Sequence, residues 1–266
     1  RVAGSAGTGK TVVAIHRALA LHKKYPENRI LLTTFTKTLA NAMRVKLERL
    51  AGAGSSTLDK IDVRHLEGVA YELMRQSGKQ PNIASVSQLQ SFFKYACKEM
   101  KIEDFSIGFL LAEWEHVVDA WQLNSWEDYR DVKRLGRKTR IGGAQREKLW
   151  SIFDRVWNTI ASRKLTTWPS VFSSLHANSA PAIKYQNIII DEAQDISVSE
   201  LKFVARLVGD KTDGLFFAGD LGQRIFRQPF SWKSLGVDVR GRSNTLKINY
   251  RTSHQIRQQA DRLLPK

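Results

Sequence analysis

The sequence predicts an α/β fold: a parallel β-sheet flanked by helices and interrupted by an inserted all-helical subdomain. Three observations lead there. A glycine-rich phosphate-loop pattern at residues 4–11 opens directly into an apolar-faced helix. Short apolar runs rich in β-formers then alternate with helical periodicity, the βαβα order that calls for parallel strands. From residue 78 to 181 the apolar spacing is helical throughout, so this stretch is expected to form the insertion, leaving 1–77 and 182–266 as one discontinuous domain.

The loop is Gly4-Ser5-Ala6-Gly7-Thr8-Gly9-Lys10-Thr11, which fits G-x-x-x-x-G-K-[ST]; chance would produce it in a chain this long on the order of once in a hundred. Val12, Val13, Ala14, Ile15, Ala18 and Leu19 continue as a helix whose N-terminus would face an anion. Lys10 would then reach the β- and γ-phosphates of a nucleotide, and the Thr11 hydroxyl would coordinate Mg²⁺. Arg29 to Phe35 reads as a buried strand, and Leu39, Met43, Leu47 and Leu50 mark one face of a helix over 38–50. After a small-residue loop over 51–56 come a strand at Ile61-Asp62-Val63 and a helix from about Leu66 to Arg75. Strands resume at 187–191, 214–218 and 245–248.

Within the inserted stretch, apolar side chains recur in Leu89-Phe92-Phe93-Ala96, in Phe109-Leu110-Trp114-Val117-Val118-Trp121 and in Leu149-Ile152-Phe153-Val156-Trp157. Val171-Phe172-Leu175 continues the pattern, and rings repeating at helical period are expected to form core. The strand Ile188-Ile189-Ile190 ends in adjacent carboxylates, Asp191 and Glu192, at the strand edge where the phosphate loop would lie. Asp191 would hold Mg²⁺ directly or through water, and Glu192 would polarise the water attacking the γ-phosphate.

Composition sets the outer limits. With 42% hydrophobic and 9% aromatic residues in 266, the chain can bury a core, which excludes a collagen, a mini-protein or a disordered tail. Lys+Arg 42 against Asp+Glu 26 leaves +16, a balance that points to nucleic acid. Lys133, Arg134, Arg137, Lys138 and Arg140 crowd one stretch, a solvated face or a further phosphate contact. The lone Cys97 cannot form an intrachain disulfide, and the apolar runs fall short of the roughly 18 residues that span a bilayer, so a cytoplasmic protein without membrane contact is expected. Only Arg1-Val2-Ala3 precede the loop, against a usual strand of about five or six, so a fragment is expected.

Four motifs in order, Gly4 to Thr11, Asp191-Glu192-Ala193-Gln194, Gly219 to Gln223, and Asn249-Tyr250-Arg251-Thr252, make the chain similar to UvrD/Rep-like superfamily 1 DNA helicases. The resemblance covers almost the whole chain and implies a RecA-like ATP-binding domain, truncated at both ends, with the helical insertion that bacterial members carry. It implies Gln223 as γ-phosphate sensor, Tyr250 as adenine platform and Arg251 as γ-phosphate contact, guanidinium being suited to bidentate oxyanion binding. It also implies that Phe35, Thr36 and the segment around His65 touch single-stranded DNA; with Lys37 they offer a ring, a hydroxyl and a cation. The chain departs from the family at Val63-Arg64, where a Thr-Phe pair is common, and over 224–228, where Phe226-Arg227 is followed by Gln228 instead of Trp. Phe226, Phe230 or Trp232 would have to supply the missing ring, with Arg227 beside it.

The implied function is ATP hydrolysis, with Mg²⁺, coupled to translocation on single-stranded DNA and strand separation. Because nothing in the chain resembles the second motor domain, the implied partners are that domain and single-stranded DNA, and the piece alone is expected to be monomeric and largely inactive. A helicase-like clamp or remodeller of a protein–nucleic-acid complex would carry the same ATP site without unwinding. A P-loop GTPase or small-molecule kinase fits badly, since no Asn-Lys-x-Asp guanine motif occurs and kinases rarely carry the Asp-Glu-Ala-Gln strand end.

Overall fold

In a computed structural model, residues 1–52, 54–132, 141–177, 185–208, 213–220, 241–251, 253, 255, 256, 258 and 259 are described. The chain begins with β1 (Val2–Ala3), α1 (Lys10–Lys24), β2 (Ile30–Thr34), α2 (Lys37–Ala51), β3 (Ile61–His65) and α3 (Leu66–Gln76). A run of helices follows: α4 (Val86–Met100), α5 (Ile107–Glu113), α6 (Asp119–Trp121), α7 (Trp126–Asp131), α8 (Gly143–Ser162) and α9 (Trp168–Ala177). Then come β4 (Asn187–Ile190), α10 (Val198–Val208), β5 (Leu215–Gly219) and β6 (Asn244–Thr245).

The expected parallel sheet is present. Six strands stand in the order β3-β2-β4-β5-β1-β6, and every neighbouring pair is parallel. Side chains alternate between faces along a strand, so each buried strand feeds two cores. Leu31, Ile188, Ile190 and Phe217 face a core closed by α3, α9 and α10. Ile30, Leu32, Ile61, Val63, Ile189 and Ala218 face the other, closed by Ala14, Ile15, Ala18 and Leu21 of α1 and Met43 and Leu47 of α2. The near-continuous apolar strands of the sequence are explained by this two-sided burial.

Strand β6 is shorter than the predicted 245–248. Its backbone pairs with the start of the chain through Asn244 N to Arg1 O at 3.0 Å and Leu246 N to Ala3 O at 2.8 Å. It then leaves the sheet, because Tyr250 N donates to Gly7 O of the phosphate loop at 2.9 Å instead of extending the ladder.

A separate aromatic core joins α4, α5, α7 and α8. Phe93 sits edge-on to both Trp114 (5.7 Å) and Phe153 (6.1 Å), and Tyr129 edge-on to Phe153 (5.5 Å). The rings singled out by their helical period are thus core. One segment of the helical stretch behaves differently: Val171 and Phe172 of α9 pack into the sheet's core, Phe172 lying 5.2 Å from Phe203 of α10.

A π-helical turn over Trp114–Val118 links α5 to α6 and carries the chain to Asp119, which is buried where α6 meets α9. The Asp119 carboxylate accepts hydrogen bonds from Thr167 Oγ1 at 2.7 Å and Gln122 Nε2 at 2.6 Å. Burial dominates these bonds and pushes the carboxyl from 3.8 up to about 7, with Glu115 adding to the rise. The native state therefore holds a proton that the unfolded chain releases near pH 3.8, and the cost of ionising Asp119 grows as pH climbs from 3.8 to about 7. Asp119→Asn keeps the acceptor and removes the charge. Its stability relative to the parent, read by urea unfolding, should rise between pH 4 and pH 8 by at least about 1 kcal/mol.

Candidate functional site

Between β1 and α1 the chain turns through Gly7 and Gly9, both at φ 85°, a left-handed conformation that side-chain-bearing residues rarely adopt. Gly9 caps α1 without a side-chain hydrogen bond, so the first-turn N–H groups of this 15-residue helix are left for an anion. Lys10 is buried, and its Nζ donates to the carbonyls of Gly4 (2.8 Å) and Ser5 (3.0 Å), placing the ammonium in the mouth of the loop. Thr8 Oγ1 donates to Ser5 O at 2.8 Å and tightens the turn.

The acidic strand end lies across from this loop. Asp191 follows β4, its N–H donates to Thr33 O of β2 at 2.8 Å, and its side chain is buried. The Thr11 hydroxyl and Lys10 both lie close enough to the Asp191 carboxylate to favour its charged form. Burial outweighs both and raises the Asp191 carboxyl above its usual range, Glu192 adding repulsion. Asp191 Oδ1 and Ser5 Oγ are buried with no hydrogen-bond partner. Each adjoins a residue that lines the cleft, Ser5 next to Ala6 and Asp191 next to Glu192, and a buried polar atom without a partner calls for a ligand to complete it.

Glu192 takes a left-handed conformation, φ 55° and ψ 38°, a cost of roughly 1–2 kcal/mol that turns its carboxylate toward the cleft. Gln194 holds it there. Its Nε2 donates to Glu192 Oε2 at 2.7 Å and its Oε1 accepts from Asp220 N at 2.9 Å, fastening the end of β4 to the end of β5. Asn249 Nδ2 donates to Ala6 O at 2.9 Å, which brings the Tyr250-Arg251 segment over the loop. Tyr250 is 78% exposed, an open face for stacking. Ala6, Gly7, Lys10, Thr11, Glu192 and Arg251 thus share an open cleft of ≈ 390 Å³.

The family model for the UvrD/REP helicase N-terminal domain matches residues 1–231. The chain belongs to this family. It is 23% identical over 290 aligned residues to DNA helicase II of Salmonella typhimurium, covering 99% of this chain and 38% of that protein. The figures for DNA helicase II of Escherichia coli are the same, 23%, 290 residues, 99% and 38%. A probable DNA helicase II homolog of Mycoplasma genitalium is 24% identical over 251 residues, covering 85% of this chain and 34% of that protein. The chain therefore spans little more than a third of the length of these relatives.

The helicase-family residues expected at nucleic acid divide into two groups. Phe35, Thr36 and Lys37 follow β2, and His65 ends β3, where Thr34 and His65 are register partners; the four lie together at one sheet edge. Thr36 caps α2 by accepting from Leu39 N at 3.2 Å, and Lys37 is exposed. Burial lowers the His65 pKa, and Arg64 and Lys37 lower it further, so this ring is neutral near pH 7 and offers a face or a single donor instead of a charge. Arg64, at a position where the family commonly has Phe, donates to Gly68 O at 3.0 Å. Gln223, Phe226, Arg227 and Trp232 lie outside the described residues, as does the basic stretch 133–140.

The sequence does not reveal the parts that two residues play here. Lys46 of α2 lines the cleft, and a lysine on a helix face carries no motif. Gln194 was visible only as part of a tetrad, with no sign that its amide bridges two strands. Among the described residues no helix is long and apolar enough to cross a membrane.

The bridge makes a sharp prediction at Gly219. A Cβ there would lie 2.7 Å from Gln194 Oε1, 2.9 Å from Gln194 N and 3.0 Å from Ala193 N, and backbone cannot yield cheaply. Gly219→Ala should cost about 1–3 kcal/mol in urea unfolding and weaken nucleotide binding through the displaced strand end.

Proposed function

We propose that this chain is the ATP-binding motor domain of a DNA helicase, coupling ATP hydrolysis to movement on single-stranded DNA and strand separation. The observation that carries the reading is the meeting of Thr11 with Asp191 beside Lys10, with one buried Asp191 oxygen lacking a partner. This donor set suits Mg²⁺, which favours one or two protein oxygens supplemented by nucleotide phosphates and water. Among the described residues no cluster of three or more metal-ligating side chains could hold an ion unaided. Bound there by Thr11 and Asp191, Mg²⁺ would neutralise charge on the β- and γ-phosphates.

The protein's own groups supply the rest. Lys10, exchanging the Gly4 and Ser5 carbonyls for phosphate oxygens, stabilises charge that grows as the γ-phosphoryl leaves. Glu192, fixed by Gln194, accepts the proton of the attacking water. Tyr250 stacks on the adenine, and Arg251 and Gln223 contact the γ-phosphate. Phe35 stacks on a base while Thr36, Lys37 and His65 engage the strand beside it. Residues 1–77 and 182–266 act as the motor lobe and 78–181 as its insertion. The chain alone binds nucleotide weakly and turns it over little, since translocation needs two lobes opening and closing on each other.

The deciding assay is ATP turnover, with and without single-stranded DNA, by the chain joined to its second motor domain. DNA should accelerate turnover. Lys10→Ala should lower it by about 10² or more, and Glu192→Gln should lower it comparably while leaving nucleotide binding intact. Turnover indifferent to polynucleotide would favour a clamp or remodeller over a motor. Oligonucleotide affinity should fall linearly on a log–log salt plot, and a flat plot would remove nucleic acid from the proposal.

A further inference from the structure

A second hollow is lined in part by Phe35 and shares no lining residue with the cleft at the phosphate loop. It has a volume of ≈ 210 Å³ and is lined by the residue after β2, the start of α3, the π-helical turn with α6, the start of α9 and the start of α10. Phe35, Trp121 and Trp168 give it aromatic walls. Glu67, Glu115, Asp119 and Glu200 give it four carboxyl groups. In a chain of net charge +16 this is a concentrated patch of the opposite sign, and among the described residues its lining contains no lysine or arginine. His116 is the lining side chain that can turn positive.

We propose that this hollow is a receptor for one arginine side chain presented by a partner protein. Size is the first reason. Pockets for drug-sized molecules run to about 300–1,000 Å³, so ≈ 210 Å³ suits a single side chain. Charge is the second. A polyanion such as a DNA strand would be repelled by the carboxyl groups, whereas a cation neutralises them. Shape is the third, because guanidinium is flat: it stacks on indole faces and forks onto carboxylates, while an ammonium does only the second with point-charge geometry.

The state of the carboxyl groups agrees. Burial raises the Glu67 pKa and Glu200 raises it further, and burial raises Asp119 with Glu115 adding to it. In both groups burial is the larger cause and the neighbouring carboxyl the smaller, so a cation entering the hollow would favour their charged forms. Glu200 is already engaged by Ser197 N at 2.7 Å and Ser197 Oγ at 2.6 Å, and Asp119 by Thr167 and Gln122, so both are fixed in place before any ligand arrives. Glu67, at the start of α3, is the group that takes the fork.

The test uses the present chain labelled with 5-fluorotryptophan, its Trp121 and Trp168 ¹⁹F signals assigned by single Trp→Phe variants. The probes are the capped tripeptides acetyl-Gly-Arg-Gly-amide and acetyl-Gly-citrulline-Gly-amide, the second isosteric and uncharged, with cytidine as a nucleobase control. Arginine should shift both signals saturably and bind about tenfold or more tighter than citrulline. Glu67→Gln, which keeps the side-chain shape, should erase most of that difference, while Mg²⁺–ADP binding by the same variant stays unchanged as evidence of an intact fold. Equal affinity for arginine and citrulline, no saturable shift with either, or preferential saturation by cytidine would each overturn the proposal. None of these outcomes depends on ATP hydrolysis or DNA-stimulated turnover, so this inference and the motor reading fail separately.

Discussion

The juxtaposition on which the structure turns is that of Thr11, in the phosphate loop, and the buried Asp191 carboxylate, two residues 180 positions apart in sequence. The parallel sheet creates it. With every strand running the same way, all carboxyl ends fall on one edge, and the loop after β1 and the acids after β4 meet there across the end of β5. An antiparallel pairing at any point between them would have sent one of the two to the far edge. The juxtaposition also explains the packing at Gly219, since β5 must pass beneath Gln194 without a side chain for the two ends to close up.

The same edge carries two further features beside the nucleotide cleft. Phe35, Thr36, Lys37 and His65 gather one strand over, at the ends of β2 and β3. Beyond Phe35 the insertion and α9 close the acidic hollow. Phe35 lines the acidic hollow and stands two residues before the exposed Lys37, so groups of opposite charge lie close to it in the chain and in space. A net charge of +16 conceals this division, because an average over the chain says nothing of where the minority sign is collected.

Much of the fold was legible because it rests on local periodicity. Ile30 to Thr34, Asn187 to Ile190 and the stripes of α1, α2 and α3 announce themselves in short windows, and the loop glycines announce a turn that other residues rarely make. Less legible were features set by partners distant in sequence. Nothing near Val171 and Phe172 distinguishes a helix packed on the sheet from one packed in the insertion, since both show a 3.6-residue apolar period. Residues 246–248 look like strand, yet Asn249 and Tyr250 are drawn to the phosphate loop by hydrogen bonds that no local pattern encodes. The roles of Lys46 and Gln194, and the convergence of Glu67, Asp119 and Glu200, likewise exist only once separate elements are brought together.

The most direct measurement of the central juxtaposition is the Mg²⁺ dependence of ADP binding by calorimetry, in the parent chain and in Asp191→Asn. If Thr11 and Asp191 jointly receive the metal, Mg²⁺ should tighten ADP binding to the parent, and the substitution should abolish that increment while leaving metal-free affinity nearly unchanged. An Asp191→Asn chain that retains the full Mg²⁺ increment would contradict the account.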